Sequence, residues 1–309
     1  MSEFSLIHNH FKHLTQSHSQ TILGIGDDCA VSRIPPNCEL VSCMDTLVAG
    51  RHFPSGTHPY AIGFKSVAVN LSDIASMGAT PYAILLGISL PQNDDEWLQA
   101  LSQGIGDICK KFHVDLIGGD TTKSDRLTIS VTALGFVEAG KSIRRDGAKV
   151  GDHICVSGPI GSASLALSQI LTHQKTDLQH TLDLPMPQVD LGQKLIGYAT
   201  SMIDISDGLG QDLGHVLKAS QVGARLHLDN IPCDDALNTL PFADKYQHIL
   251  NGGDDYQLCF TMPQDSFDNF NQLYPNSIVK IGEIIEQQEV ELFHQNQQVD
   301  FKIQGWEHF

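Results

Sequence analysis

The stretch HPYAIGFKSVAVNLSDIASMGATPYAILLGISL, residues 58–90, decides the fold of the N-terminal half. Its His58-Pro59 pair predicts the start of a long helix that runs to about Met77, because proline is tolerated in the first helical turn. The near-continuous apolar run at 82–90 predicts a buried strand directly afterwards. A long apolar helix followed by a buried strand indicates that this half packs helices against a sheet.

Asp73 is the most informative residue of this stretch. Between Ala61 and Leu90 the only charged residues are Lys65 and Asp73. A carboxylate late in an apolar helix is disfavoured by burial and by the negative end of the helix dipole. Asp73 therefore either caps the helix end in water or binds a cation, and the second role explains why the position tolerates an acid.

Further aspartates lie in short segments flanked by glycine or serine, and most of them follow an apolar run, where a buried strand would end. These are Asp27 and Asp28 in GIGDDCA, Asp45 in SCMDTLV, Asp120 in LIGGDTT, Asp204 and Asp207 in MIDISDGLG, and Asp254 and Asp255 in NGGDDYQL. Carboxylates gathered in one crevice repel one another unless cations lie between them. Oxygen ligands in this number suit Mg²⁺, and Mg²⁺ in a glycine-lined crevice indicates a nucleotide phosphate.

Each segment also has a structural interpretation, which stays open at this point. Adjacent acids such as Asp27 and Asp28 are common turn residues, and Asp207 could be a helix N-cap. The glycines before Asp120 could form a tight turn. Arg145 could clamp a phosphate or simply solvate a loop.

Composition restricts the class of protein. The chain has 309 residues, enough for two domains, and its 36 acidic and 19 basic residues give a net charge of −17. This charge argues against nucleic acid or an anionic membrane as a partner, and it means that a polyanion such as ATP needs metal ions to bind.

The seven cysteines are scattered, without a CxxC pair, which favours reduced thiols in the cytoplasm. Residues 1–20 are polar, so we expect no signal peptide, and no apolar run reaches membrane-spanning length.

The pattern of elements predicts an α+β protein in two halves, with a boundary near the glycine-rich connector RRDGAKVGD (144–152). We assign residues 1–145 to an N-terminal domain and 146–309 to a C-terminal domain. Strands are predicted at 21–26, 39–45, 82–90, 114–119, 126–137, 153–158, 201–205 and 224–229. Helices are predicted at 5–14, 58–77, 94–112, 161–171, 190–200, 207–220 and 264–273, with a loop at 172–188. His8, His10, His13 and His18 are expected on a surface helix, and their spacing fits no zinc site well.

Missing motifs exclude several nucleotide-binding families. The chain has no GxxxxGK[ST] sequence, and Gly24-Ile25-Gly26 lacks the third glycine of a dinucleotide fingerprint. Neither the protein-kinase motif set nor GxSxG occurs.

The ordered motifs resemble those of the thiamine-monophosphate kinase family. They are GIGDDCA, MDTLVAGRHF, NLSDIASMGA, LIGGDTT, RRDGAKVGD, DISDGL, GGDDYQL and the terminal GWEHF. The resemblance implies an aminoimidazole ribonucleotide synthetase-like fold. In that fold an α/β N-terminal domain pairs its sheet in a homodimer barrel, and an α+β C-terminal domain completes a site for ATP, several Mg²⁺ ions and thiamine monophosphate. The implied reaction transfers the γ-phosphoryl group of ATP to thiamine monophosphate.

The resemblance also implies roles for residues. The implied metal ligands are Asp28, Cys43, Met44, Asp45, Asp73, Asp120, Asp204 and Asp207. The implied ATP contacts are Gly119, Asp120, Arg145 and Ser206, and the implied thiamine monophosphate contacts are His52, Asp254 and Trp306. Two features depart from the family pattern. Cys43-Met44 replaces hydroxyl residues, so a metal contact there needs backbone carbonyls, and Asp254 replaces a longer glutamate.

Three competing interpretations remain open on the sequence. The chain could be another ATP-using member of the superfamily, such as a ribonucleotide cyclo-ligase, which needs no thiamine. It could be a non-catalytic dimer that binds nucleotide and metal. In the third interpretation the acids only cap turns and helices.

Overall fold

A computed structural model describes residues 3–15 and 18–305, which form two compact units. The first unit contains the described residues up to Ile74 together with Ala79–Gly140. The second contains Ala75–Gly78 and the described residues from Lys141 onward. None of the helices in this described part combines the length and hydrophobicity needed to span a bilayer.

The first unit alternates helices and strands. It contains α1 (Glu3–Leu6), a π-helical turn (Ile7–Phe11), a 3₁₀ turn (Lys12–Leu14), β1 (Thr21–Leu23), β2 (Val31–Ser32), β3 (Cys38–Val48), α2 (Pro59–Ser76), β4 (Thr80–Leu90), α3 (Asp95–Phe112), β5 (Asp115–Lys123) and β6 (Thr128–Glu138). Pro59 opens α2, as predicted, and the side chain of Asp94 caps α3 by accepting the Trp97 N–H at 3.1 Å. His10 is buried on the inner side of its π-helical turn and contacts Asp95 at 3.0 Å. His18 lies beyond these helical turns, so its predicted place in the helix is wrong.

A four-stranded mixed sheet forms the centre of the first unit, in the order β3-β6-β4-β5. β6 is antiparallel to both β3 and β4, whereas β4 and β5 run parallel. One row of directly opposed residues is Asp45, Val131, Leu86 and Gly119. The next row is Thr46, Ser130, Gly87 and Asp120. Val131 and Leu86 are buried and Thr46 is exposed, so alternation gives the sheet one covered and one outer face.

Two glycines allow α2 and α3 to cross closely. A Cβ atom on Gly63 would lie 2.1 Å from the Leu101 carbonyl oxygen, and one on Gly104 would lie 2.0 Å from the Tyr60 carbonyl oxygen. Neither position accepts a side chain, because real Cβ contacts with backbone atoms are much longer than this. This crossing fixes α2, which carries Asn70 and Asp73, against its neighbour.

The second unit surrounds a seven-stranded sheet. Its elements are β7 (His153–Val156), α4 (Ser162–Leu171), α5 (Gln179–Asp183), α6 (Val189–Lys194), β8 (Ser201–Asp204), α7 (Leu209–Ser220), β9 (Gly223–His227), a 3₁₀ turn (Leu228–Asn230), α8 (Asp235–Asn238), α9 (Phe242–Asn251), β10 (Leu258–Met262), α10 (Gln264–Leu273), β11 (Val279–Ile285), β12 (Val290–His294) and β13 (Gln297–Val299). The strand order is β13-β12-β9-β11-β7-β10-β8, antiparallel except for the parallel β9/β12 pair. Ile154, Ile203, Leu213 and Ile249 belong to its core.

The predicted α+β fold is confirmed, and several local predictions are wrong. The predicted loop at 172–188 contains α5, and the predicted helix at 190–200 ends at Lys194. The sequence interpretation missed α9 altogether. The strand predicted to end at Gly119 continues through Asp120 to Lys123, so the glycine pair does not form a turn.

Candidate active site

Four residues of β3 and α2 form a polar cluster in the first unit: Cys43, Asp45, Asn70 and Asp73, hereafter the β3–α2 cluster. The buried Asn70 side chain accepts the Asp45 N–H at 3.0 Å and donates to the Ser66 carbonyl at 3.0 Å. The Cys43 thiol lies 3.3 Å from the Asn70 carbonyl oxygen. Asp73 is half-buried in the last turn of α2, three residues after Asn70. The packing of α2 against β3 therefore brings together two of the sequence-predicted metal ligands, Asp45 and Asp73, whose charges both act on the Cys43 thiol.

The pKa of the Cys43 thiol reflects the negative charge of this cluster. Burial, followed by the negative charges of Asp73 and Asp45, raises the pKa of the Cys43 thiol well above its usual range. The thiol therefore stays neutral between two carboxylates. Met44 alternates to the outer face and is 63% exposed. Its thioether is a poor ligand for a hard cation, so of Met44 only the backbone carbonyl suits Mg²⁺.

Gly119 and Asp120 lie within β5. A Cβ atom on Gly119 would lie 1.9 Å from the Leu86 carbonyl oxygen, so β4 and β5 can approach here only without a side chain. Asp120 is exposed, and its register places it in the row of Thr46 on the outer face. Asp28 is also exposed, and its N–H donates to the Asp27 carboxylate at 2.8 Å, so Asp27 acts as a turn residue.

His52 closes the turn that follows β3. The Nδ1 atom of His52 accepts the Val48 backbone N–H at 3.0 Å, and the backbone N–H of His52 donates to the Val48 carbonyl at 3.1 Å. Because Nδ1 accepts a hydrogen bond, a neutral His52 carries its proton on Nε2. A structural role for His52 is therefore visible, while its role toward substrate stays a prediction.

In the second unit, the loop Ile205–Gly208 between β8 and α7 is organised by Asp212, which the sequence interpretation missed. The N–H groups of Ser206, Asp207 and Gly208 donate to one carboxylate oxygen of Asp212 at 2.9, 3.0 and 3.2 Å. Burial and then the charge of Asp204 raise the pKa of Asp212 to about 7, while the Asp207 and Ser206 N–H groups oppose that shift. Sequence alone offers no signal for this residue except an acid in the first turn of a helix.

Asp204 and Asp207 flank this loop. Asp204 is the last residue of β8 and is buried, and its charge acts on Asp212. Asp207 accepts the Gln211 side-chain amide at 3.3 Å. The N-cap of α7 is Gly208, so the alternative in which Asp207 caps the helix is wrong.

The loop after α9, residues 252–257, runs directly beside the β8–α7 loop. The Asp254 N–H donates to the Ser206 carbonyl at 2.9 Å, and the Tyr256 N–H donates to the Ile205 carbonyl at 2.8 Å. A Cβ atom on Gly253 would lie 2.2 Å from the Ser206 carbonyl oxygen, which explains the glycine. The structure thus makes neighbours of Ser206 and Asp254, one predicted to contact ATP and the other thiamine monophosphate.

Asp255 and Arg145 lie at the margins of this region. Asp255 is buried and accepts the Gly161 N–H at 2.8 Å, at the start of α4. Arg145 is exposed, and its carbonyl accepts the Ser220 hydroxyl at 3.0 Å. The preceding Arg144 carbonyl accepts the Met202 N–H at 3.1 Å, which ties this segment to β8. Trp306 lies outside the described residues.

The donor set suits a hard cation that is shared with a ligand. Within residues 3–15 and 18–305, no three or more His, Cys, Asp or Glu side chains are arranged to hold a metal ion by themselves. Mg²⁺ in nucleotide enzymes is usually bound by one or two carboxylates plus waters and substrate phosphates. The paired carboxylates Asp45 and Asp73, and likewise Asp204 and Asp207, fit that mode of binding.

Comparison with known proteins identifies the family. Residues 26–137 match the model of the AIR synthase related protein N-terminal domain, and residues 149–295 match the corresponding C-terminal domain. The thiamine-monophosphate kinase of Haemophilus influenzae is 42% identical over 275 residues, covering 87% of this chain and 84% of that protein. That of Bacillus subtilis is 31% identical over 326 residues and covers both chains fully, at 100% each. The chain belongs to the thiamine-monophosphate kinase family. The resemblance inferred from the motifs is therefore confirmed.

Solved structures agree with this membership. A thiamine-monophosphate kinase from Stenotrophomonas maltophilia is 38% identical, with a TM-score of 0.87 over 94% of this chain and 96% of that one. AaThiL, solved in complex with AMPPCP and TMP, is 30% identical, with a TM-score of 0.78 over 92% of each chain. The hydrogenase maturation protein HypE, at 18% identity and a TM-score of 0.78, shares the fold alone.

Proposed function

We propose that this chain phosphorylates thiamine monophosphate, using ATP, to give thiamine diphosphate and ADP. Besides family membership, the observation that carries the proposal is the hydrogen bond from the Asp254 N–H to the Ser206 carbonyl at 2.9 Å. It holds a residue assigned to ATP next to a residue assigned to the acceptor substrate. A transfer enzyme needs this proximity, because its two substrates must meet in line.

The chemistry requires no general base. The acceptor is a phosphate oxygen of thiamine monophosphate, which is already ionised near neutral pH. In the transfer, a new bond forms between that oxygen and the γ-phosphorus of ATP, and the bond to the β–γ bridging oxygen breaks, which leaves ADP. The difficulty is to bring two polyanions together in a protein with a net charge of −17. Bound Mg²⁺ supplies the neutralisation and alignment of the phosphates.

In the proposal, each unit contributes residues that bind Mg²⁺ and the substrates. Asp45 and Asp73 of the β3–α2 cluster hold Mg²⁺, and Cys43 keeps a neutral thiol between them. Asp204 and Asp207 hold Mg²⁺ from the β8–α7 loop, with the Ser206 hydroxyl toward ATP. The remaining roles rest on the family resemblance: Asp28, Asp120 and the backbone carbonyls of Cys43 and Met44 toward metal, Gly119, Asp120 and Arg145 toward ATP, and His52, Asp254 and Trp306 toward thiamine monophosphate.

We also propose that the chain forms a homodimer and acts in the cytoplasm. The outer face of the first unit's sheet supports the dimer, because it carries the exposed apolar residues Leu40, Met44 and Leu85. All seven cysteines are free, which suits a reducing compartment.

The direct test is an incubation of purified protein with ATP, Mg²⁺ and thiamine monophosphate, with the products separated by chromatography. We expect thiamine diphosphate and ADP in equal amounts, and neither product in the control without thiamine monophosphate. ATP consumption without thiamine diphosphate would instead indicate another branch of the superfamily. ATP-dependent thermal stabilisation without turnover would indicate a binding module.

A further inference from the structure

The β8–α7 loop forms a concave array of N–H groups. Those of three successive residues, Ser206, Asp207 and Gly208, converge on one oxygen of Asp212. Loops of this kind, placed before a helix N-terminus, bind phosphate in many nucleotide-binding proteins. Here the carboxylate of Asp212, from the first turn of α7, occupies the position that an anion would take.

The carbonyl side of the same loop is also engaged. The Asp254 N–H donates to the Ser206 carbonyl, and the Tyr256 N–H donates to the Ile205 carbonyl. The Ile205 N–H in turn donates to the Gln257 carbonyl at 2.7 Å. Main-chain partners therefore hold the loop at Ile205 and at the Ser206 carbonyl, whereas the N–H groups of residues 206–208 bond to the single side chain of Asp212.

Asp212 occupies an unfavourable electrostatic position. It is 3% exposed, and the carboxylate of the buried Asp204 lies nearby. A buried carboxylate beside other carboxylates is costly unless hydrogen bonds compensate it. The three N–H donors provide that compensation, so the loop conformation and the buried carboxylate stabilise each other.

We propose that Asp212 is a positioning residue, which holds the β8–α7 loop so that the side chains of Ser206 and Asp207, and not the loop N–H groups, serve the nucleotide and its Mg²⁺. This inference rests on the proposed function for its consequence on the reaction. Its structural part stands on the three hydrogen bonds. The loop then recognises phosphate through side chains and cations, unlike a phosphate-binding loop that uses its backbone.

The structural part is tested by amide hydrogen exchange on the ligand-free protein, measured on peptides that cover 205–209. In Asp212→Ala we expect the Ser206, Asp207 and Gly208 amides to exchange about 10-fold faster or more, because their hydrogen bonds to the carboxyl group are lost. Asp212→Asn keeps an acceptor oxygen and should fall between wild type and Asp212→Ala. The control is Asp234→Ala, which removes another aspartate that accepts a backbone N–H, that of Ala236 at 2.9 Å. Unchanged exchange at 206–208 in Asp212→Ala would overturn the proposal.

The functional part is tested by the dependence of rate on Mg²⁺ concentration. Asp212→Ala should lower kcat by about 10–100-fold and raise the Mg²⁺ concentration for half-maximal rate, as is typical of residues that orient metal ligands. Asp212→Asn should recover part of both losses, and Asp234→Ala should change neither. If Asp212→Asn were as damaging as Asp212→Ala while its amide exchange stayed like that of wild type, Asp212 would be a metal ligand itself and the proposal would fail. A lowered Tm with an unchanged Mg²⁺ dependence would show a merely structural role and would also refute it.

Asp212→Glu provides a second variant in case Asp212→Ala does not fold. It keeps the charge but moves the acceptor oxygen by one methylene, so we expect faster loop exchange and a raised Mg²⁺ requirement. Wild-type behaviour of Asp212→Glu in both measurements would contradict the proposal. Failure of the proposed function itself is distinguishable, because then the wild-type protein makes no thiamine diphosphate, while amide exchange still decides whether Asp212 holds the loop.

Discussion

Asp255 is a residue whose protonation is coupled to folding. It is buried beneath the start of α4, where it accepts the Gly161 N–H. Burial is the main cause that raises the pKa of Asp255 from 3.8 to about 8, and the N–H groups of Gly161 and Ala163 oppose the shift. The folded protein therefore takes up a proton that the unfolded chain releases.

This coupling predicts that stability falls as the pH rises. Between about pH 4 and pH 8 the folded state binds the extra proton, so the free energy of unfolding decreases by at most about 1.4 kcal/mol per pH unit from this group and levels off above pH 8. Asp255→Asn should remove this dependence, because an amide does not titrate. The fold should survive, since the amide oxygen still accepts the Gly161 N–H. Urea unfolding at several pH values measures the difference between wild type and variant. Asp300→Asn, at an exposed aspartate, is the control, and an equal effect from it would contradict the prediction.

Asp73 tests the proposed metal role at the level of one side chain. Asp73→Asn keeps the shape of the side chain but removes its charge, so we expect kcat to fall by about 100-fold or more while the fold survives. Activity assays and circular dichroism, with the exposed Asp125→Asn as control, measure the two effects. Near-wild-type turnover in Asp73→Asn would exclude a metal role for this carboxylate.

Residues differ in how visible their roles are in a sequence. Asp73 could be singled out because it is an isolated charge in an apolar helix. Asn70 and Asp212 could not, because their partners are backbone groups of segments whose proximity only the fold creates. A side chain that bonds to the backbone of a segment distant in the sequence leaves no charge pattern and no spacing rule.

At the scale of elements, Asn70 connects β3 to α2. Its side chain accepts the Asp45 N–H and donates to the Ser66 carbonyl, and it is fully buried. We expect Asn70→Ala to lower the free energy of unfolding by about 1–3 kcal/mol, because a buried donor and a buried acceptor lose their partner. Turnover should fall as well, since Asp45 and Asp73 are no longer held together.

The measurement for Asn70→Ala combines urea unfolding with the Mg²⁺ dependence of the rate. Ser102→Ala on the neighbouring α3 is the control, because it also removes a buried polar group, here one bonded within its own helix at 3.0 Å. If both variants lost stability but kept the same Mg²⁺ dependence, Asn70 would have no part in placing the carboxylates.

The elements themselves were predictable where a periodic pattern ran through them. The predicted helices at 94–112 and 264–273 match α3 and α10 closely. The end of β5 was not predictable, because glycine, aspartate and threonine continue as a strand there only by pairing with β4. The five-residue helix α5 is too short to show a helical period.

For the whole molecule, the order of the motifs was more informative than any one of them. Each motif alone had a structural interpretation, and for two residues a structural contact is present: Asp27 accepts the N–H of Asp28, and His52 closes a turn. The strongly acidic composition also has a clear consequence: a site built from carboxylates accepts phosphates only together with cations. The proposed Mg²⁺ dependence therefore follows from the whole charge distribution as much as from single ligands.

The outer face of the first unit's sheet predicts that two copies of the chain form a dimer. Leu40, Met44 and Leu85 are 48%, 63% and 37% exposed there, and Met44 and Leu85 both lie opposite Thr132 on β6. We expect a second copy of the chain to cover this face, so that Leu40→Asp or Leu85→Asp converts a dimer into a monomer. Sedimentation at several protein concentrations measures the mass, with Leu273→Asp as control, since Leu273 is 59% exposed on α10 of the second unit. A monomeric wild type, or a dimer that tolerates both sheet variants, would show that this face is not the interface.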